Sequence, residues 1–347
     1  MIRYTITGCL ALLTISLFVF SCSPKASVAA EEAVTAPAPT ASNTATTPTT
    51  TTVTSTVAAS APTETDTTLL WAISGNGLAA TSYLFGTIHM IPEEDFFMPA
   101  TVETALAATD KVAFEIDMAE MQDPSIMLTM MSRIQMPNGK KLSDLIEPEE
   151  YTIVQAYFDS TGMPLAFFEN WKPMFLATMV GQDLEDLGGM MDGIGGMRSY
   201  EFELTEMAES AKKEIFGLET IDFQLSVFDS IPYDFQANML LEAIEADMAG
   251  NTEDDQFGEM VEMYRRQAIS EMVSMIQEEA GADDEANFEE FLLTRRNAAW
   301  IPLMAESMTE GPVFFAVGAG HLAGEKGVIK LLREAGYSVE GVYAKAD

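Results

Sequence analysis

The chain has 347 residues, 48% of them hydrophobic, and a formal net charge of −36. The apolar fraction supports a sizeable core, and the length allows one large domain or two modest ones. So acidic a surface repels phosphate backbones and anionic headgroups, which excludes nucleic acid as a partner and leaves membrane contact to an anchor.

The first segment supplies that anchor. Arg3 precedes an apolar run from Ile6 to Phe20, too short to span a bilayer comfortably, and Ser21-Cys22 follows. This order predicts an export signal over residues 1–22. A cysteine after the small residue resembles the bacterial lipobox, with Phe20 a departure from its usual small residue, and marks Cys22 for lipidation. Several acyl chains on Cys22 would hold the protein to the envelope, facing the periplasm or the cell exterior. Cys9 is the only other cysteine, so the folded part has neither a disulfide nor a thiolate site. Residues 23–68 are rich in Ala, Thr, Pro and Ser. They bury too little to offset their ordering entropy and read as a tether.

The fold is expected over 69–347. Leu69 to Ser74 reads as a strand, Gly75-Asn76-Gly77 as a turn, and Ser82 to His89 as a second strand completing a hairpin. Pro99 to Ala108 reads as a helix and Lys111 to Asp117 as a third strand. A long insertion, about 119–310, has mostly helical periodicity. Its candidate helices are Leu142 to Phe158, Trp171 to Leu187, Tyr200 to Ala211, Phe223 to Met248, Asp255 to Glu279 and Phe288 to Met308. A short strand is expected at Ile215 to Leu218, and a flexible loop at Gly188 to Gly196. Pro312 to Val317, Glu325 to Ala335 and Tyr337 to Tyr343 read as strand, helix and strand, a unit that implies parallel pairing. The predicted class is α/β: a central mixed, partly parallel sheet built from N- and C-terminal strands around a large helical insertion.

Two histidines are present in the whole chain, and they share a context. Gly86-Thr87-Ile88-His89 ends one apolar strand and Gly318-Ala319-Gly320-His321 ends another. Ligands of open α/β sheets bind outside the carboxyl ends of strands, so two imidazoles delivered there could converge on one ion. A lone histidine is more often structural; the repeated motif argues otherwise. In the third strand, alternation puts Ala113, Glu115 and Asp117 on one face and Val112, Phe114 and Ile116 on a core face. A glutamate flanked by apolar residues is costly to bury without a partner. Two histidines and a carboxylate suit Zn, Mn or Co, with Glu115 as ligand or general base; spacing does not decide which.

These residues resemble the TraB/GumN family, which is related to the TIKI metalloproteases. The resemblance rests on L-W-A-I-S-G-N-G, S-Y-L-F-G-T-I-H, F-E-I-D and F-F-A-V-G-A-G-H-L, with S-Y-E at Ser199 to Glu201, G-L-E-T at Gly217 to Thr220, Gln224, and Arg296-Asn297 between them. It implies a metal-dependent hydrolase of peptides or small molecules, with Mn or Co as the ion and His89, His321 and Glu115 as its core. Glu201, Glu219, Arg296 and Asn297 are then supporting or substrate-binding residues, and Asp117 is a further candidate. Without the resemblance, Arg296-Asn297 is an ordinary exposed helical pair. A different class stays open beside the hydrolase: a non-enzymatic envelope module binding haem, a metal or a peptide. Its support is the 24 methionines, including Met190, Met191 and Met197 near the glycine-rich loop.

Overall fold

The computed structural model describes residues 68–181, 196–250, 254–280 and 289–343. The signal, Cys22, nearly all of the tether, most of the glycine-rich loop and the far end of the helix expected from Trp171 lie outside these residues. Among the described residues, no helix is long and apolar enough to cross a membrane.

Six strands form the main sheet. In chain order they are β1 (Leu70–Gly75), β2 (Ser82–Thr87), β4 (Lys111–Ile116), β6 (Glu214–Glu219), β7 (Val313–Gly318) and β8 (Tyr337–Gly341). Two three-residue strands, β3 (Met90–Pro92) and β5 (Met197–Ser199), make a separate antiparallel pair. The sheet order is β6-β4-β7-β2-β1-β8. Strands β6, β4, β7 and β2 run parallel, while β1 is antiparallel to both β2 and β8. The sheet is therefore mixed, and strands from both ends of the chain meet in it, as expected.

Its central strands are nearly continuous apolar runs. In β7, Val313 to Val317 are all buried, and β4 is buried from Val112 to Ile116. This corrects the expected single core face of β4: parallel strands covered on both sides bury both sets of side chains. Around the sheet pack α1 (Ala100–Ala107), α5 (Tyr200–Ser210), α8 (Asp254–Arg265), α10 (Arg295–Glu310) and α11 (Val328–Glu334). Two further apolar clusters hold the insertion together. One joins α2 (Pro124–Ile134), α4 (Pro173–Ala177) and α6 (Ile221–Val227); the other joins α3 (Pro148–Ser160), α4 and α7 (Tyr233–Met248).

Several expected helices are shorter or split. The one expected from Leu142 starts only at Pro148, which sits in its first turn. The one from Phe223 breaks before α7, whose N-cap is Pro232. The one from Asp255 divides into α8 and α9 (Ile269–Ala280), with Gln267 at φ 57° between them. The terminal unit is also corrected. β8 runs parallel to β7 but pairs with β1, with β2 and β1 intervening.

The β2–β7 register pairs Thr87 with Gly318, so both G-x-x-H turns leave the sheet side by side at its carboxyl end. Glycine is needed there for space. A Cβ on Gly86 would stand 2.9 Å from Leu322 Cδ2 and 3.1 Å from Ala319 Cα, in the turn that carries His321. Gly86→Ala is expected to destabilise the fold by about 1–3 kcal/mol through overpacking, read from urea unfolding. An unchanged midpoint would refute this contact.

Candidate active site

The site residues come from the carboxyl ends of strands, from the helices that follow them, and from the helix that leads into β7. His89 follows β2, Glu115 lies near the end of β4, Glu219 ends β6, and His321 closes a 3₁₀ turn, Ala319–His321, after β7. Glu201 sits in the first turn of α5, whose N-cap Ser199 accepts from the Phe202 N–H. A π-helical turn, Glu290–Thr294, leads into α10 and its Arg296, Asn297 and Trp300.

The two histidines are held alike. His89 Nδ1 lies 3.0 Å from Glu201 Oε1, and that carboxylate also accepts from Thr87 Oγ1 (2.8 Å) and Ser199 Oγ (3.0 Å). His321 Nδ1 lies 2.6 Å from Asn297 Oδ1. Asn297 Nδ2 donates to the Lys326 carbonyl at 2.9 Å, so its Oδ1 faces the ring and His321 carries its proton on Nδ1. Both rings thus turn Nε2 inward. His321 Nε2 is 3.7 Å from Glu115 Oε1. A Cβ placed on Gly318 would stand 3.3 Å from Glu115 Oε1, 3.6 Å from His321 Cδ2 and 3.7 Å from His89 Nε2. The three side chains therefore converge around Gly318.

Glu115 is 6% exposed and accepts from three donors. Oε1 accepts the Gly318 N–H at 2.8 Å; Oε2 accepts from Arg296 Nη2 at 2.5 Å and from Gln224 Nε2 at 3.2 Å. Arg296 is 1% exposed. Its Nε donates to both Glu219 oxygens at 3.0 and 3.1 Å, and its Nη1 donates to the Leu292 carbonyl at 3.0 Å. Nη1 also lies 3.2 Å from His321 Nε2. Trp300 Nε1 donates to Glu219 Oε1 at 2.8 Å, and its ring lies 4.5 Å from that of His321.

Seven sequence candidates are brought together: His89, His321, Glu115, Glu201, Glu219, Arg296 and Asn297. Asp117 is not among their contacts. β4 stops at Ile116, so strand alternation no longer aims the next side chain, and Asp117 caps the following turn by accepting the Ala119 N–H. Arg296 and Asn297 are buried, against their plain reading as an exposed pair. Gln224 and Trp300 had no role from residue chemistry alone, yet both touch the site. Trp300 follows Arg296 at i+4, a spacing that puts them on one helix face. Met197 lies in β5, whereas Met190 and Met191 fall outside the described residues.

The like motifs hold unlike charges. For His89, burial works against the imidazolium, but Glu201 and Glu115 outweigh it and hold the ring at about 9. For His321, burial and the neighbouring Arg296 and His89 depress the ring to about 3, against the pull of Glu115. Burial would raise the Glu115 carboxyl, yet Arg296, the two histidines and the Gly318 N–H hold it well below the carboxylate range. Burial pushes Glu219 up despite Arg296.

A pH dependence follows for the metal-free protein. The raised His89 contributes stability that is full below about 6.5 and is lost as pH climbs toward 9. The depressed His321 acts in reverse: the unfolded ring takes up a proton below about 6.5 and the folded one does not, so stability falls toward pH 3. With two histidines in the chain, NMR should give two imidazole titrations, one near pH 9 and one near pH 3. Two coincident titrations near 6.5 would contradict this asymmetry.

Among the described residues, no three His, Cys, Asp or Glu side chains stand in an arrangement that holds a metal ion. The chemistry of the donor set nevertheless suits one. Two imidazoles have Nδ1 fixed by an outer hydrogen bond, the pattern that orients metal ligands, and Nε2 turned into the centre, where His321 Nε2 meets both Arg296 and the ionised Glu115.

Fold and site together define an α/β protein with a buried centre of two strand-end histidines, a glutamate and an arginine bridging two carboxylates. Over residues 69–341 the chain matches the model of the TraB/PrgY/gumN family, and it belongs to that family. It is similar to a protein named Metalloprotease TIKI1 from Danio rerio, with 25% identity over 79% of this chain and 63% of that protein. A Metalloprotease TIKI2 from Danio rerio (22%, 79% and 60%) and a Metalloprotease TIKI1 from Xenopus tropicalis (25%, 78% and 61%) are also similar. The chain thus spans about three fifths of the length of these relatives. No solved structure is significantly similar to it.

Proposed function

We propose that the protein is a divalent-metal-dependent hydrolase of peptide bonds, exported and held to the bacterial envelope by lipid on Cys22. The single observation that carries the reading is that both histidines are fixed through Nδ1 while His321 Nε2 and, around Gly318, His89 Nε2 lie close to Glu115 Oε1. The relatives named metalloproteases support the reaction class. His89 Nε2, His321 Nε2 and Glu115 would hold Mn, Co or Zn, which when bound acidifies a water and polarises a carbonyl.

Glu115 serves as the anionic ligand rather than the general base. Three donors engage its oxygens, and its carboxyl is held well below the range from which a base takes protons at neutral pH. Arg296 fixes Glu115 against Glu219. Glu201 and Asn297 fix the ring orientations, and Trp300 closes the far side of His321.

Calorimetric titration of the detergent-solubilised chain with Mn, Co and Zn tests the reading. One ion per chain is expected, with His89→Ala and His321→Ala each weakening it by at least about 100-fold, more than outer-shell changes do. Failure of all three ions to bind, or unchanged binding in both variants, overturns it. An export assay with Cys22→Ser should leave the protein exported but no longer membrane-bound.

A further inference from the structure

The recess beside Glu115 has a mixed lining. His89, Glu115 and Gln224 contribute polar groups to it, and Ile116, Met118 and Phe202 apolar ones. Apart from the one ion that His89, His321 and Glu115 would hold, the polar lining has little left for a second charged guest. Both oxygens of Glu201 are taken by Thr87, His89 and Ser199, and both oxygens of Glu115 by Gly318, Arg296 and Gln224. A charged side chain entering here would leave water for groups already satisfied by one another, an unfavourable exchange. An aliphatic group would lose only its apolar hydration. The cavity volume is about 30 Å³. A single water needs roughly 10–15 Å³ on that measure, so there is room for about two or three atoms of methyl size.

We propose that this recess is the specificity subsite of the hydrolytic centre, that it takes an aliphatic side chain of alanine to valine size, and that Met118 and Phe202 set its reach. The inference rests on the hydrolytic reading above and adds the class of residue beside the bond that is cut. That residue is adjacent to the bond because the recess shares His89 and Glu115 with the reacting centre. Met118 is the natural limit on size: it is 9% exposed, unbranched, and makes none of the hydrogen bonds that fix the site.

The test is cleavage of a peptide series by the full chain in detergent with Mn, varying one residue beside the bond through Gly, Ala, Val, Leu, Phe, Lys and Glu. Ala and Val are expected to exceed Phe, Lys and Glu at least tenfold in kcat/KM, the scale on which apolar pockets discriminate. Met118→Ala should move the optimum to Leu or Phe by about tenfold. Met118→Phe should cut Val cleavage about tenfold and leave Gly cleavage in place. Equal cleavage of Lys and Val peptides, or an unchanged order in both variants, overturns the subsite while leaving hydrolysis intact. Should no peptide be cut, the hydrolytic reading fails by itself, and saturation-transfer NMR decides the recess. N-acetylvalinamide binding that Met118→Phe abolishes supports it; equal binding of N-acetyllysinamide overturns it.

Discussion

Arg296→Met is expected to destabilise the protein by about 3–5 kcal/mol, the usual penalty for removing one partner from a buried ionic set. Arg296 and the two carboxylates it joins are almost entirely out of water, with side-chain exposures of 1%, 6% and 4% for Arg296, Glu115 and Glu219. Its guanidinium also satisfies the Leu292 carbonyl and approaches His321 Nε2. Methionine matches its length but leaves two carboxylates facing each other without a cation. One response is to protonate Glu219, whose carboxyl burial already pushes up. Denaturant unfolding at pH 7 and pH 5 reads this out: the deficit should narrow at the lower pH, and Glu219→Gln in the same chain should restore part of it. A loss under 1 kcal/mol, or no recovery in the double variant, would show that the guanidinium is not the counter-ion of this centre.

Glu115→Gln is expected to lower divalent-ion affinity at least about 100-fold, and peptide hydrolysis with it. The exchange keeps size and an oxygen for the Gly318 N–H, and it leaves Arg296 paired with Glu219. It removes the negative charge beside His321 Nε2 and turns an amide N–H toward the donors Arg296 and Gln224. Because Glu115 is held well below the carboxylate range, its charge also contributes stability, present above about 4.5 and lost in acid as the pH falls toward the folded value. The variant should therefore unfold somewhat more easily at pH 7 and with a flatter acid limb. Calorimetry for the ion and circular dichroism for the fold separate the two effects. Full activity with an intact fold would remove Glu115 from the mechanism.

The parts legible in the sequence were those with local physics. β2, β4 and β7 announce themselves as apolar runs, the Gly75-Asn76-Gly77 turn takes the positive φ values its residues favour, and the repeated G-x-x-H marks the site. Strand order was less accessible, since nothing local says that β7 enters between β4 and β2. β3 and β5, three residues each, are too short for a pattern. The helix Pro124–Ile134 was missed although Asp123-Pro124 is a cap followed by a first-turn proline. Arg296 was the hardest case. On a helix it reads as a solvated charge, and only the carboxylates of two distant strands make its burial favourable. Asp117 shows where alternation stops carrying information: it lies one residue past the end of β4 and caps the next turn, away from the contacts that Glu115 makes.

The position of β7 has a consequence for the growing chain. β7 separates the strands that carry His89 and Glu115, and it arrives only in the last tenth of the sequence. Until then the nascent polypeptide holds one histidine and one glutamate with nothing to bring them side by side, and pairing across so long a separation in sequence is a late, slow step. The centre is therefore latent throughout synthesis. Any chain cut short before residue 313 lacks both His321 and the strand that would align His89 with Glu115.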